Sequence, residues 1–118
     1  MNVEEYKAVK KPKYRNKKTV VDGITFDSMR EARHWCRLKL MEKAGEITNL
    51  RRQVIFEIIP PCKLDGRRRP STKYIADFCW LDADGNHIVA DAKGCKTPEY
   101  QIKRKLMATV HGIEVLEL

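Results

Sequence analysis

Apolar and polar positions alternate with two different periods along this chain, and the changes of period mark the predicted elements. Near the amino-terminal end, two stretches of three β-branched or aromatic residues, 19–21 and 24–26, flank Asp22-Gly23. An Asp-Gly pair between such stretches is typical of a two-residue type I′ turn, because both of its residues take positive φ. The pattern therefore predicts a short β-hairpin.

A helix is predicted directly after this hairpin. Ser28 precedes Glu31 with the S-x-x-E spacing of a capping box, and helical periodicity continues to about residue 44, where Gly45 ends it. At about 100° per residue, Glu31, Trp35 and Leu38 share one face, so a carboxylate lies on the predicted apolar stripe. The positions flanking that stripe are Ala32 and Cys36, and the predicted basic surface consists of Arg30, Arg33, His34 and Arg37.

Three further apolar stretches are predicted to be strands. Residues 50–59 are rich in β-formers and end at Pro60-Pro61, and residues 60–72 are predicted to be a loop. Residues 74–81 and 87–93 are joined by the turn DADGN, so they should pair as an antiparallel hairpin. This acidic turn is not a calcium-binding loop, because its glycine falls at position 4 and not at position 6.

A second helix and a final strand complete the predicted fold. Thr97 as N-cap, Pro98 after it and Gly112 as terminator bound this helix, and the sequence from residue 113 onward alternates as a short strand. The order is hairpin, helix, three strands, helix and strand, which predicts an α/β fold with one mixed central sheet flanked by two helices. The predicted buried face of the second helix consists of Ile102, Leu106 and Val110.

Composition narrows the class of protein. The chain has 118 residues, of which 42% are hydrophobic and 34% charged, too apolar for a disordered tail and too charged for a membrane protein. Neither a membrane-spanning stretch nor the apolar block of a signal peptide is present, so we expect a cytoplasmic protein with no membrane partner. We also expect a basic flexible arm over residues 1–18 and a single domain over residues 19–118.

The charge is strongly positive and clustered. Lysine and arginine number 24 against 16 acidic residues, a net charge of +8, which favours a polyanionic partner such as nucleic acid over charge that serves solubility alone. The predicted DNA contacts are Lys10, Lys11, Lys13, Arg15, Lys17 and Lys18 of the arm and Arg67, Arg68 and Arg69 of the loop.

The cysteines do not form a recognisable metal motif. They stand far apart, without a C-x-x-C pair or a histidine pair at zinc-ligand spacing. We therefore expect buried thiols at Cys36, Cys62, Cys79 and Cys95.

Two aspartates interrupt apolar strands. Asp77 lies within YIADFCW and Asp91 within IVADAK, although a lone buried carboxylate costs on the order of several kcal/mol. Alternation places Asp91 and Lys93 on the same face, and antiparallel pairing can bring Asp77 beside Asp91. Oxygen ligands without histidine suit a hard cation, Mg²⁺ or Mn²⁺. The alternative is a structural ion pair among these three side chains.

The order of Glu31 on a helix, then YIADF, then DAK resembles the PD-(D/E)xK nuclease superfamily, over residues 25–118. Ala76 stands where proline precedes the aspartate in the superfamily motif. The stretch KYRNKKTVVDGITFDS-x-x-EA is similar to a family of small phage and prophage proteins formerly of unknown function. The same order of Glu, Asp and Lys occurs in TnsA-type transposase nucleases.

This resemblance implies a restriction-endonuclease-like core and a metal-dependent phosphodiester hydrolase that uses Mg²⁺, with Mn²⁺ as a substitute. Lys93 would orient or deprotonate the attacking water, while Glu31 would complete the metal shell or serve only as the capping residue. The implied catalytic residues are Glu31, Asp77, Asp91 and Lys93, the implied metal ligands are Asp77, Asp91, the Ala92 carbonyl and Glu31, and the implied phosphate contacts are Tyr100 and Lys103.

The expected substrate is DNA recognised by its shape, because so small a domain leaves little surface for reading base edges. A four-way junction is two-fold symmetric, so we expect a phage or prophage endodeoxyribonuclease, acting in a bacterial cell, that works as a homodimer on branched DNA, as Holliday-junction resolvases do. The alternatives are a basic nucleic-acid-binding module without catalysis, a nicking or unspecific nuclease, and a restriction-type endonuclease.

Overall fold

The structure, a computed structural model of the chain, describes residues 18–93 and 96–118. The chain forms two compact units, Met1–Arg33 and His34–Leu118. The single domain over residues 19–118 stays a prediction. Lys18 is exposed, whereas the predicted arm contacts Lys10, Lys11, Lys13, Arg15 and Lys17, and likewise Cys95, lie outside the described residues.

The described part of the first unit contains the predicted hairpin and the beginning of a helix. Strands β1 (Thr19–Val21) and β2 (Ile24–Phe26) pair antiparallel. The φ angles of Asp22 and Gly23 are 52° and 75°, both positive as a type I′ turn requires. The predicted hairpin is therefore confirmed.

Helix α1 (Met29–Lys43) lies close to its predicted bounds. The Oγ of Ser28 accepts a hydrogen bond from the backbone N–H of Glu31 at 3.1 Å, so Ser28 is the N-cap that the sequence predicts. Glu31, Trp35 and Leu38 are all buried, which confirms the predicted inner face and the unusual carboxylate on it.

The second unit is built on a mixed sheet in which β3, β6, β7 and β8 stand side by side in that order. The first two neighbouring pairs are antiparallel and the last is parallel, so the predicted α/β class is confirmed. The elements of this unit are β3 (Thr48–Ile59), β4 (Cys62–Leu64), β5 (Arg67–Arg69), β6 (Thr72–Leu81), β7 (His87–Asp91), α2 (Pro98–His111) and β8 (Leu116–Glu117).

The prediction of a loop over residues 60–72 is wrong. Strands β4 and β5 form an antiparallel two-stranded ribbon, and all six of their residues are exposed. The turn between them is Asp65-Gly66, with φ angles of 52° and 72°. The same dipeptide forms the turn of the first hairpin, so it indicates a hairpin here as well. The composition of the flanking residues obscures this, because three consecutive arginines are not typical of a strand.

Of the three residues predicted for the inner face of α2, only Leu106 packs against the core, where it is partly buried. Ile102 and Val110 are 59% and 52% exposed, while Tyr100 and Met107, two turns apart, are buried. The apolar positions alone were misleading because Tyr100 and Arg104 have polar partners on β8. The face that α2 turns toward β8 therefore includes polar side chains. The core cluster contains Ile58, Tyr74, Ala76, Cys79, Val89, Tyr100, Met107 and Val115.

The cap predictions for α2 are confirmed. The Oγ1 of Thr97 accepts a hydrogen bond from the N–H of Tyr100 at 3.1 Å, and Gly112 ends the helix with a φ of 67°. Among the described residues, no helix is long and apolar enough to cross a membrane.

The three described cysteines are free, and only one of them is buried as predicted. Cys79 belongs to the core, and burial raises the pKa of its thiol to about 11. Cys36 is exposed because it lies about 100° around the helix from buried Trp35, and Cys62 is exposed on the ribbon.

Candidate active site

The two predicted aspartates lie where strands β6 and β7 separate. The register between these strands runs from Leu81 opposite His87 to Phe78 opposite Ala90. Beyond that point β6 continues alongside β3 alone. Asp77 and Asp91 are the next residues on the two strands, so both lie at the fork between them.

Each of these carboxylates binds the backbone of the other strand. The N–H of Asp77 donates to Oδ1 of Asp91 at 2.8 Å, and the N–H of Ala92 donates to Oδ2 of Asp77 at 3.0 Å. These two hydrogen bonds replace the ladder that ends one residue earlier. The predicted proximity of Asp77 and Asp91 is therefore observed, and a reciprocal clamp fixes the orientation of both side chains.

Gln53 of β3 is a neighbour of Asp77 that the sequence analysis did not identify. Its Nε2 lies 3.5 Å from Oδ1 of Asp77, and its φ of 53° is unusual for a residue other than glycine. Strand pairing continues on both sides of it, between Arg52 and Phe78 and between Val54 and Ala76. Backbone strain of this kind is often found at functional sites. A single glutamine in a β-rich stretch gave no signal of it.

Asp91 is the most deeply buried charged residue of the site, with no exposed surface. Burial raises the pKa of its carboxyl to about 6, against the opposing effects of the Asp77 N–H and the positive charge of Lys93. Its second oxygen, Oδ2, has no hydrogen-bond partner in the part of the chain that the structure describes. A buried carboxylate oxygen without a donor is costly unless a proton or a cation meets it.

Lys93 is held beside this pair by an aromatic ring. Its Nζ lies 5.6 Å from the ring centroid of Tyr100, within the range of a cation–π contact. The hydroxyl of Tyr100 in turn donates to Oε2 of Glu117 at 3.0 Å, and Arg104 donates to Oε1 of the same carboxylate at 3.0 Å. Burial, together with the hydrogen bond to Glu117, raises the pKa of the Tyr100 hydroxyl, which keeps it a donor.

The remaining predicted residues are placed as follows. Lys103 lines a cavity together with Lys93 and Tyr100, whereas the contact of Tyr100 and Lys103 with phosphate stays a prediction. Glu31 belongs to the first unit, where it is buried and its N–H is held by Ser28. The arginines of the predicted loop, Arg67, Arg68 and Arg69, are all exposed on β5.

The donor set can be tested against a divalent cation. Within residues 18–93 and 96–118, no group of three or more histidine, cysteine, aspartate or glutamate side chains is placed to hold a metal ion. The oxygen donors that the structure brings together are the carboxylates of Asp77 and Asp91, and the Ala92 carbonyl as a further ligand stays a prediction. This set fits Mg²⁺, which is commonly held by one or two carboxylates while water and substrate phosphate complete its shell. The unpartnered Oδ2 of Asp91 is consistent with the same fit.

Comparison with known proteins gives one family. No curated protein and no solved structure matches the chain. The profile of a family described as protein of unknown function (DUF1064) matches residues 11–114, a range that includes both aspartates and Lys93. Because this match covers most of its length, the chain belongs to the DUF1064 family.

Proposed function

We propose that this protein is a metal-dependent endodeoxyribonuclease with a restriction-endonuclease-like core. The observation that carries the proposal is the clamp between Asp77 and Asp91 at the fork of β6 and β7, which leaves a buried carboxylate oxygen without a partner. A structural ion pair does not account for this arrangement, because Lys93, whose charge acts on Asp91, does not form an ion pair within 4 Å of either aspartate in the described part of the chain.

The residues divide the chemistry between them. Asp77, Asp91 and the carbonyl of Ala92 would hold Mg²⁺ or Mn²⁺, which stabilises the negative charge that phosphodiester hydrolysis builds on the phosphate. Lys93 orients the attacking water or takes a proton from it. The ring of Tyr100 keeps the Lys93 ammonium in place. Glu31 as a further ligand remains part of the proposal.

DNA is the proposed substrate because the positive charge is concentrated on exposed elements. The β4–β5 ribbon carries Lys63 and three arginines on fully exposed strands. A two-stranded ribbon of this kind is narrow enough to follow a DNA groove or backbone. Since the ribbon buries none of its residues, its basic side chains are free to contact phosphates.

The test is cleavage of plasmid and synthetic DNA by the purified protein in Mg²⁺, in Mn²⁺ and in chelator. The protein should cleave only with metal, and Asp77→Asn should not cleave. Asp84→Asn is the matched control, because Asp84 is an exposed aspartate in the turn between the same two strands. Cleavage by Asp77→Asn at the rate of this control would contradict the proposal.

A second candidate function is DNA binding without catalysis. It is favoured by the lack of a third carboxylate or histidine ligand within the described ranges. The same assay separates the two, because a binding module retards DNA in a gel but leaves it intact in every metal.

Within the nuclease proposal, the substrate is branched DNA and the acting species is a homodimer in the cytoplasm of a bacterial cell, encoded by a phage or prophage. The support is physical: a small basic domain reads shape more readily than sequence, and a two-fold dimer matches a four-way junction. Rates on junction, flap and linear duplex, with sedimentation of the complexes, test this. Equal rates and a monomer on DNA would leave a nicking or unspecific nuclease.

A further inference from the structure

A cavity of about 270 Å³ lies beside the aspartate clamp. It is walled by residues 73–75 of β6, by Lys93 after β7 and by the first turns of α2. It occupies the region where β6 no longer has β7 as a neighbour. Among the described residues, neither Asp77 nor Asp91 lines it, so it is a space distinct from the proposed metal site, although Lys93 borders both.

The lining of this cavity is cationic. Lys73, Lys93 and Lys103 contribute three positive charges, and Glu99 contributes one negative charge. Nζ of Lys103 lies 3.1 Å from Oε1 of Glu99, whereas Lys73 and Lys93 form no ion pair in the described part of the chain. Cations gathered around one small space repel each other, and an anion between them removes that repulsion.

The rest of the lining is uncharged and comes from Tyr74, Ile75, Thr97 and Tyr100. The amino-terminal end of α2, capped by Thr97, adds partial positive charge on another side of the cavity.

We infer that this cavity is a phosphate subsite. Lys73 and Lys103 bind the phosphate oxygens, and Lys93, whose charge also acts on Asp91, borders both the phosphate and the aspartate clamp. The volume of the cavity is several times the roughly 30 Å³ that one water molecule takes up in the liquid, so the cavity admits a hydrated phosphate. Assigning that phosphate to a DNA strand rests on the proposed function, but the binding of phosphate does not.

The first experiment titrates inorganic phosphate into metal-free protein at constant ionic strength and follows backbone amide signals by NMR. We expect saturable shifts at Thr97, Glu99 and Tyr100. Lys73→Gln should weaken binding about tenfold, the loss typical of one hydrogen bond to a charged group. Lys105→Gln is the matched control, because Lys105 is an exposed lysine on α2, the helix that carries Lys103, but does not line this cavity.

Lys103→Gln provides a second variant, because Lys103 lines the same cavity from α2. It should weaken phosphate binding several-fold, since it removes another positive charge from the lining. Shifts that do not saturate, equal weakening by Lys73→Gln and Lys105→Gln, or unchanged phosphate binding in Lys103→Gln would each overturn the subsite.

The two sources of phosphate are distinguished with oligonucleotide duplexes that carry or lack a 5′-phosphate, bound in chelator. Tighter binding of the phosphorylated duplex, abolished in Lys73→Gln, assigns the subsite to a strand end. Equal binding of both duplexes, weakened alike by Lys73→Gln, assigns it to a phosphodiester next to the cleaved bond. Because these measurements need no cleavage, an inactive protein that still binds phosphate contradicts the nuclease and not the subsite.

Discussion

Asp77 and Asp91 hold each other through main-chain hydrogen bonds, at 2.8 Å from the Asp77 N–H to the Asp91 carboxylate and at 3.0 Å from the N–H after Asp91 to the Asp77 carboxylate. Each side chain therefore orients the backbone that carries the other. An asparagine at either position can keep the oxygen that accepts the main-chain hydrogen bond, while it removes the charge and replaces the other carboxylate oxygen by an NH2 group. The Asp-to-Asn changes therefore test the charge with the clamp in place.

Asp77→Asn and Asp91→Asn are each expected to lower the rate of DNA cleavage by about a hundredfold to a thousandfold or more, because the neutral amide holds a divalent cation poorly. DNA affinity should persist or increase, since a negative charge facing the phosphate is removed. Single-turnover cleavage and gel retardation measure the two effects. Near-normal turnover in either variant would remove these residues from the site.

The stability of the metal-free protein should depend on pH through Asp91. Its pKa is raised from 3.8 to about 6, so between these values the folded state binds the proton more tightly than the unfolded chain does. The contribution of Asp91 to the free energy of unfolding should therefore fall as pH rises from about 4 to 6, by about 2 to 3 kcal/mol in all. Denaturant titrations across this range, compared with Asp91→Asn, isolate the effect, and a variant with the same pH slope as the wild type would refute it.

Mg²⁺ or Mn²⁺ should reduce this pH dependence, because a bound cation favours the ionised carboxylate. At neutral pH the metal should then raise the melting temperature of the wild type and not that of Asp91→Asn. An equal rise in both proteins would indicate binding elsewhere.

Lys93→Ala is expected to abolish turnover while leaving metal affinity nearly unchanged, since the ammonium acts on water and phosphate and not on the cation. Calorimetric titration with Mn²⁺ measures the affinity. Tyr100→Phe should preserve most of the activity and Tyr100→Leu much less, because only an aromatic ring supports the lysine. If Lys93→Ala lost much of its metal affinity but cleaved normally at saturating metal, Lys93 would act in metal binding and not on the attacking water.

The inner face of α2 can be checked by truncation. Met107 is fully buried in the core, so Met107→Ala should lower the free energy of unfolding by about 2 to 5 kcal/mol. Ile102 is 59% exposed, so Ile102→Ala should change it by less than about 0.5 kcal/mol. A larger loss of stability in Ile102→Ala than in Met107→Ala would instead support the inner face that the apolar pattern alone predicts.

Replacing Arg67, Arg68 and Arg69 with glutamine should weaken DNA binding for every sequence and flatten the dependence of log Kd on log salt, by about 0.9 for each phosphate that is no longer neutralised. Lys105→Gln serves as a control for the removal of charge alone. A change in the bases that are bound or cut, at an unchanged salt slope, would indicate base recognition instead.

Much of the fold was predictable where a local signal agrees with the tertiary contacts. The Asp22-Gly23 turn, the Ser28 and Thr97 caps and the antiparallel pairing of β6 with β7 each depend on short-range chemistry that the final structure retains. The inner face of α2 was not predictable, because it is set by contacts of Tyr100 and Arg104 with β8, many residues away in sequence.

The same distinction holds for the candidate site. Two aspartates within apolar strands stand out in the sequence, and antiparallel pairing alone suggests their proximity. The partners around them do not stand out, because Gln53 and Glu117 are ordinary polar residues in alternating strands. Their importance comes from the backbone conformation of Gln53 and from the parallel pairing of β7 with β8, neither of which has a local signature.

The β4–β5 ribbon leaves every one of its strand residues in solvent, so it contributes little to the stability of the sheet beside it. Substitutions there are nearly neutral for folding, and changes in ribbon length are tolerated for the same reason. The sequence of the ribbon can therefore change with the molecule that it contacts, without a loss of folding stability. Among members of the family, we expect this segment to diverge fastest in sequence and length, while the fork that carries the two aspartates stays constant.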